Sequence, residues 1–366
     1  MHREPIKERM LVDKASQRHI PLSAAFELLP LCNMDCKMCY LRLSKPETDA
    51  LGGLRSPAQW LDLAAQLRDA GTVFLLLTGG EPFLYPGFSE LYTHLRRMGF
   101  IITVNTNGTL LTEKEADVLA ENKPRRVNIT LYGTDDEMYR KICGNPMGFS
   151  QAIRAIRLLR ARNIDTKLNV TLVPENVSAL DDFHKIATEF DIPIEVNPYV
   201  VPACRERVRP FDASTRLTPE QAADSYVRTL EHQLGDGFLS YIRGRLTLLR
   251  ADSPVAPKKA MTCRAGRSSA WISWQGNLIP CAFLPEPQIN VFDQGFSEAW
   301  DALLPQIEAV RLPADCSGCA MRGLCNLCAA FARCDSAGAD KPPEFMCHYT
   351  KEIIRIFQEK VMENEA

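Results

Sequence analysis

Along the first 200 residues, short apolar or β-branched runs alternate with stretches of helical periodicity. The runs are Ala25–Leu29, Val73–Leu77, Phe100–Val104, Val127–Leu131, Leu168–Val173 and Ile194–Val196, each of a length that a buried strand takes. Between them, Ser56-Pro57 reads as the N-cap and first residue of a helix that Gly71 closes. Thr112-Glu113-Lys114-Glu115 is a capping box for another. In Gln151–Arg162, Ile153, Ile156 and Leu159 recur at helical spacing with arginines on the other face. Asn176 or Ser178 is placed to cap a helix ending near Phe190. Six alternating units predict an α/β fold with a parallel sheet and right-handed crossovers. Six are too few for a closed eight-fold barrel. The expectation is a partial (β/α)6 TIM-like barrel with its site at the C-terminal ends of the strands.

The alternation stops after Pro198. A division into residues 22–200, a helical connection over 201–262 and a cysteine-rich segment over 263–366 fits a chain of 366 residues, at roughly 150 residues per domain. Within the connection, helices are expected from Pro219 to about Leu234 and near Phe238–Arg250, followed by a linker at Asp252–Lys259. A last helix is expected from Thr350 to about Glu363.

Composition narrows the class. Lys and Arg total 43 against 45 Asp and Glu, which leaves no electrostatic footprint for nucleic acid. The N-terminal stretch carries Arg3, Glu4, Lys7, Glu8 and Arg9 in place of the apolar core of a secretory signal. The longest apolar runs, Val73–Leu77 and Leu327–Ala332, are too short to cross a bilayer. The expectation is a cytoplasmic protein without a membrane partner. The 13 cysteines then point to metal or catalytic use rather than to disulfides. Cys32, Cys36 and Cys39 lie together, six more fall between Cys316 and Cys347, and Cys263 and Cys281 sit just upstream of those. Only Cys143 and Cys204 are isolated.

The loop Cys32-Asn-Met-Asp-Cys36-Lys-Met-Cys39-Tyr40 follows the first strand. Three thiols can hold three irons of a [4Fe–4S] cluster and leave the fourth open to a ligand. A zinc ion borrowing a fourth ligand is the alternative. The next strands end in polar groups: Thr78-Gly79-Gly80-Glu81-Pro82, Asn105-Thr106-Asn107-Gly108, Asn128-Ile129-Thr130 with Tyr132-Gly133, and Asn169-Val170-Thr171. Two adjacent glycines permit close backbone approach, and Glu81 offers a carboxylate to a cation.

The Cys-x3-Cys-x2-Cys loop followed by Gly-Gly-Glu-Pro resembles the radical S-adenosylmethionine (SAM) superfamily over roughly residues 22–200. The resemblance implies that Cys32, Cys36 and Cys39 hold a [4Fe–4S] cluster whose open iron binds SAM. It implies that Gly79, Gly80 and Glu81 hold the methionyl amino group, that Asn128 and Thr130 contact the ribose or carboxylate, and that Val170 and Thr171 lie near the adenine. Reductive cleavage of SAM would then give a 5′-deoxyadenosyl radical that abstracts a substrate hydrogen. Two departures stand out. Met38 precedes the third cysteine where the family often has an aromatic residue. Cys143 aligns where many relatives carry an Arg for the SAM carboxylate, leaving Arg140 or Lys141 as substitutes.

The C-terminal pattern is Cys263-x12-Gly276-x4-Cys281, then Cys316-x2-Cys319-x5-Cys325-x2-Cys328-x5-Cys334-x12-Cys347. Eight thiols suffice for two four-cysteine sites, with structural zinc as the alternative to iron–sulfur. The segment resembles the SPASM domain, which carries auxiliary [4Fe–4S] clusters. By that resemblance Cys316, Cys319, Cys325 and Cys347 hold an outer cluster, and Cys263, Cys281 and Cys328 an inner one. Cys334 is either the fourth inner ligand or a spare, and in the second case the inner cluster keeps an open iron.

The resemblance implies an enzyme that modifies a ribosomally made peptide by a thioether or carbon–carbon crosslink or by epimerisation. Its partners would be the precursor peptide or protein and a flavodoxin- or ferredoxin-type reductant; with about 24 residues ahead of the first strand, a separate peptide-recognition protein or direct leader binding would take the place of a fused recognition domain. A sulfatase-maturing, formylglycine-forming enzyme is a second reading; its relatives place an Asp where this chain has Ala282. Cofactor biosynthesis on a haem precursor or quinone peptide is a third, and a non-catalytic metal scaffold a fourth.

Overall fold

The computed structural model describes residues 6–205, 211–249, 261, 263–335 and 341–365. Six parallel strands come first: β1 Ser23–Glu27, β2 Phe74–Thr78, β3 Ile101–Thr106, β4 Arg126–Leu131, β5 Thr166–Thr171 and β6 Ile194–Asn197. Each pairs with the next in chain order. The sheet is not closed, and the fold is a mixed α/β partial barrel. It also continues past β1. The strand β7, Ser269–Ile272, joins β1 in parallel, and β8 Asn277–Ile279 and β9 Ile289–Asn290 follow antiparallel. One nine-stranded sheet thus runs from the barrel into the cysteine-rich segment.

The strands have two unlike faces because side chains alternate along an extended chain. Phe26, Leu75, Leu77, Ile102, Val104, Val127, Ile129, Leu131, Leu168 and Val170 are buried against the outer helices. Those helices begin at capping boxes where the sequence places them, Pro57–Asp69 after Ser56 and Glu113–Glu121 after Thr112. Trp60 is fully buried with its ring centroid 4.6 Å from that of Phe26, and a fully buried side chain of this size contributes about 1.5–3 kcal/mol. The other face carries Thr103, Asn105, Asn128, Thr130, Asn169 and Thr171. Strands of a parallel sheet are usually apolar on both faces, so this polar inner face marks the lumen as a site rather than a core.

Several sequence expectations shift. The helix before Phe190 is Leu180–Glu189, entered through a 3-10 turn with no side-chain cap. Asn176 is committed elsewhere: it accepts from Val173 N at 2.8 Å and donates to the carbonyls of Tyr132 and Thr171, tying together the loops after β4 and β5. The helix from Phe238 ends at Leu246 and continues as a 3-10 turn to Leu249. The linker expected at Asp252–Lys259 lies outside the described residues. The last helix starts at Glu344 rather than Thr350, because Pro342-Pro343 sets its beginning and Cys347 sits in its first turn. This helix packs along Pro219–Leu234. No helix among the described residues is long and apolar enough to cross a membrane.

Candidate active site

The loop after β1 is bolted down before any ligand is considered. Asp35 N donates to Cys143 O at 2.8 Å and Lys37 N to Ile142 O at 3.1 Å, fixing the loop on the end of the helix Asp136–Cys143. Backbone amides reach two of its sulfurs, Met34 N to Cys32 Sγ at 3.4 Å and Arg42 N to Cys39 Sγ at 3.3 Å. Asn107 Nδ2 adds a contact to Cys32 Sγ at 3.6 Å. Donors aimed at sulfur favour the thiolate form and tune a bound cluster. Without metal, burial pushes the Cys32 thiol up to about 12, with the Met34 amide opposing and the charges of Cys36 and Cys39 adding to the rise. Cys36 is raised by its hydrogen bond with Cys143 and by burial. Metal loading must therefore displace protons.

The Gly-Gly turn shows why side chains are excluded there. A Cβ on Gly79 would meet Leu29 O at 2.6 Å, and one on Gly80 would meet Leu31 O at 2.2 Å. Gly80 N and Glu81 N instead donate to Leu29 O and Leu31 O at 2.7 and 2.9 Å. The turn after β2 is thus laid directly on the start of the cysteine loop. Glu81 is fully buried. Its carboxylate accepts from Phe83 N, Thr106 Oγ1 and Asn107 N at 3.1, 2.8 and 2.8 Å. Burial pushes its pKa up to about 7 against those three donors.

These groups open on a cavity of about 430 Å³. Cys32, Cys36, Cys39, Gly79, Gly80, Thr130 and Thr171 line it, together with Asn105, Asn107, Tyr132, Asn169 and Tyr199. Glu81, Asn128 and Val170 stand behind the wall: Asn128 Nδ2 donates to Asn105 Oδ1 at 2.7 Å, and Val170 turns its side chain to the helices. Among the described residues, Asn128 Oδ1 and Asn169 Oδ1 are buried without a partner. Of the two, Asn169 lines the cavity, and an orphaned acceptor there fits a polar ligand such as the amino and hydroxyl groups of SAM. Arg140 and Lys141 both face Glu137 on the surface, at 2.7 and 3.4 Å.

The far wall comes from the cysteine-rich segment, through Trp271, Phe283 and Phe331. Tyr40 connects the two walls, with its ring 5.4 Å from that of Phe283. Trp274, by contrast, is core, packed on Leu41 and Leu43. The structure gathers eight of the other ten thiols in two groups. Cys316, Cys319, Cys325 and Cys347 lie close enough that burial and one another's charge raise Cys316 and Cys347. Cys263, Cys281, Cys328 and Cys334 form the second group. Within it, burial lifts Cys281 to about 12. Among the described residues no three His, Cys, Asp or Glu side chains converge on one ion.

Two contacts escape sequence reasoning. Cys143 is fully buried against Cys36. His184 and His232, 48 positions apart by their numbering, stack at 4.2 Å, and His232 Nε2 lies 3.1 Å from Asp181.

A three-cysteine loop after the first strand of an open parallel barrel, with a Gly-Gly-Glu turn laid upon it, defines a radical SAM domain. Residues 26–187 match the family model described as the radical SAM superfamily, so the chain carries a radical SAM domain and is an enzyme. It is 26% identical over 318 residues to the antilisterial bacteriocin subtilosin biosynthesis protein AlbA of Bacillus subtilis, covering 84% of this chain and 67% of AlbA. It is 25% identical over 342 residues to an AdoMet-dependent heme synthase of Oleidesulfovibrio alaskensis, covering 89% and 86%. Its fold matches Streptococcus suis SuiB bound to precursor peptide SuiA with a TM-score of 0.69 at 16% identity, over 95% of this chain and 82% of SuiB.

Proposed function

We propose that this enzyme abstracts hydrogen from a residue of a ribosomally made peptide held in the cavity, and that the outcome is a thioether or carbon–carbon crosslink or an epimerised centre. The [4Fe–4S] cluster and SAM, when bound, supply the hydrogen-abstracting radical. Cys32, Cys36 and Cys39 hold the cluster. Gly79, Gly80 and Glu81 form the turn that receives the methionyl group, Thr130 with Asn128 behind it receives the ribose or carboxylate, and Thr171 with the backbone of Val170 the adenine edge. An outer auxiliary cluster sits on Cys316, Cys319, Cys325 and Cys347 and an inner one on Cys263, Cys281 and Cys328, with Cys334 beside them. They take up the electron that closing an oxidised bond releases. A flavodoxin- or ferredoxin-type protein supplies the reducing electron, and the peptide is held either by direct binding of its leader to this chain or through a separate recognition protein.

One observation carries the choice of substrate. The cavity joins the cysteine loop to an aromatic wall of Tyr40, Trp271, Phe283 and Phe331, and no Lys, Arg or His is among the described residues that line it. A haem precursor brings several carboxylates, whose burial without cations is costly. A neutral peptide segment brings none, and the aromatic rings suit its side chains. The SuiB structure, which holds its precursor peptide, and the bacteriocin relative support the same reading.

The test is to incubate the anaerobically reconstituted enzyme with SAM, dithionite and candidate precursor peptides, then follow both products by mass spectrometry. A peptide that loses two hydrogens per event marks a crosslink. Unchanged mass in water with deuterium uptake from heavy water marks epimerisation. Decarboxylation of a haem precursor, with peptides untouched, would overturn the proposal.

A further inference from the structure

Cys204, isolated in the sequence, is not isolated in space. It lies on the connection after β6, yet its thiol is within hydrogen-bond reach of Cys334. Both thiols donate to one acceptor, the carbonyl oxygen of Phe283, at 3.4 Å from Cys204 and 3.1 Å from Cys334. Phe283 itself is two residues past Cys281. The meeting is braced on both sides. Asp335, next to Cys334, accepts from Tyr199 Oη at 2.9 Å and from Arg216 Nη1 at 2.8 Å, residues that flank Cys204 in the chain. The Asp335 side chain is 5% exposed and that of Arg216 16%, so the brace is internal. Cys334 in turn lies near Cys281 and Cys328, and both of those lie near Cys263. The inner group therefore holds five thiols, one more than a [4Fe–4S] cluster binds.

We propose that Cys204 belongs to the inner metal site and shares its fourth ligand position with Cys334. One thiolate binds iron while the other donates its S–H to that sulfur, and either can close the site. No electron moves in this step: an iron–sulfur bond forms as the thiol proton leaves to solvent. Hydrogen bonding to a ligating sulfur is the kind of outer contact that orients ligands and tunes a cluster. The inference rests on the proposal that Cys263, Cys281 and Cys328 hold an auxiliary cluster.

The experiment asks whether the inner cluster has an open iron. Saturating SAM first fills the open position of the Cys32–Cys36–Cys39 cluster. Isotopically labelled cyanide is then added to the reduced enzyme, and its hyperfine coupling to iron is read by electron–nuclear double resonance. Wild type, Cys204→Ala and Cys334→Ala should show no coupling. The double variant should show it, while a retained SAM-perturbed signal shows that its barrel is intact. Coupling in wild type, coupling in Cys334→Ala alone, or none in the double variant would each overturn the sharing. If wild type holds about four irons in place of the twelve of three clusters, the auxiliary-cluster reading falls and this inference falls with it. About twelve irons with no coupling in the double variant sinks only the role given to Cys204.

Discussion

Glu27, at the end of β1, and Arg205, 178 positions later, form an ion pair at 2.5 Å with the carboxylate wholly buried. Trp271 Nε1 on β7 donates to the same carboxylate at 3.3 Å, and the Arg205 guanidinium lies 5.8 Å from the centre of the Tyr40 ring. One buried carboxylate thus ties together the barrel, the connection after β6, the cysteine loop and the first strand of the cysteine-rich segment. Removing one partner strands a buried charge, which costs about 3–5 kcal/mol, whereas removing both with apolar residues costs far less. Glu27→Leu and Arg205→Met should each lower the urea midpoint of the anaerobically purified enzyme strongly, and the double variant should recover most of the loss. Additive losses would show that the pair does not act as a unit.

Gly80 makes a sharper local prediction. Its missing Cβ leaves room for the Leu31 carbonyl, and an added methyl would sit 2.2 Å from that oxygen. The oxygen is backbone and cannot swing aside, so Gly80→Ala must push the turn off the cysteine loop. Overpacking of this kind costs about 1–3 kcal/mol. The larger effect should fall on SAM, with affinity reduced at least about tenfold for a displacement worth 1.4 kcal/mol. Equilibrium dialysis against labelled SAM reads it directly, and unchanged affinity would remove this turn from the binding site.

The Glu81 carboxyl gives a pH dependence with a definite sign. Its pKa is raised from 4.5 to about 7 in the folded chain by burial. Between those values the folded state binds the extra proton, so stability is highest below the lower one and is lost as pH rises through the higher. Burial of His184 lowers its pKa to about 4 and acts in the opposite direction below its ordinary value of 6.5. The difference between wild type and Glu81→Gln isolates the carboxyl. Wild type should lose about 1–3 kcal/mol relative to the variant between pH 5 and pH 8. Parallel pH profiles of the two unfolding midpoints would show that Glu81 does not titrate in this window.

Much of this site can be read from the chain because its strands have a polar inner face. Asn105, Asn128, Thr130, Asn169 and Thr171 break what would otherwise be uniformly apolar parallel strands, and strand alternation alone puts them on one side. The adjacent glycines are legible for a similar reason, since only a missing side chain allows two backbones to touch. What stays hidden depends on pairing across long separations. Nothing local in Ser269–Ile272 says that it will extend the sheet beside β1. Cys143 beside Cys36, Cys204 beside Cys334 and His184 on His232 are likewise meetings through space. Asn176 has the composition of a cap, but a better use for its amide lies in the loops it ties.

The two kinds of cysteine site should separate SAM cleavage from peptide chemistry. Cys36 is buried on a loop whose backbone is held independently by Asp35 N and Lys37 N. Cys36→Ala should therefore leave the chain folded and abolish formation of 5′-deoxyadenosine. Cys319 lies in the outer group, away from the cavity lining, at the start of the turn Ala320–Gly323. Removing it leaves three thiols there, Cys316, Cys325 and Cys347, and leaves the cysteine loop, the Gly-Gly turn and the strand ends untouched. Cys319→Ala should still form 5′-deoxyadenosine but yield at least about tenfold less modified peptide, a barrier increase of about 1.4 kcal/mol or more. Chromatography of both products from one reaction gives the ratio. Full cleavage by Cys36→Ala would remove the cysteine loop from the active site, and normal product from Cys319→Ala would make the outer thiols a purely structural module.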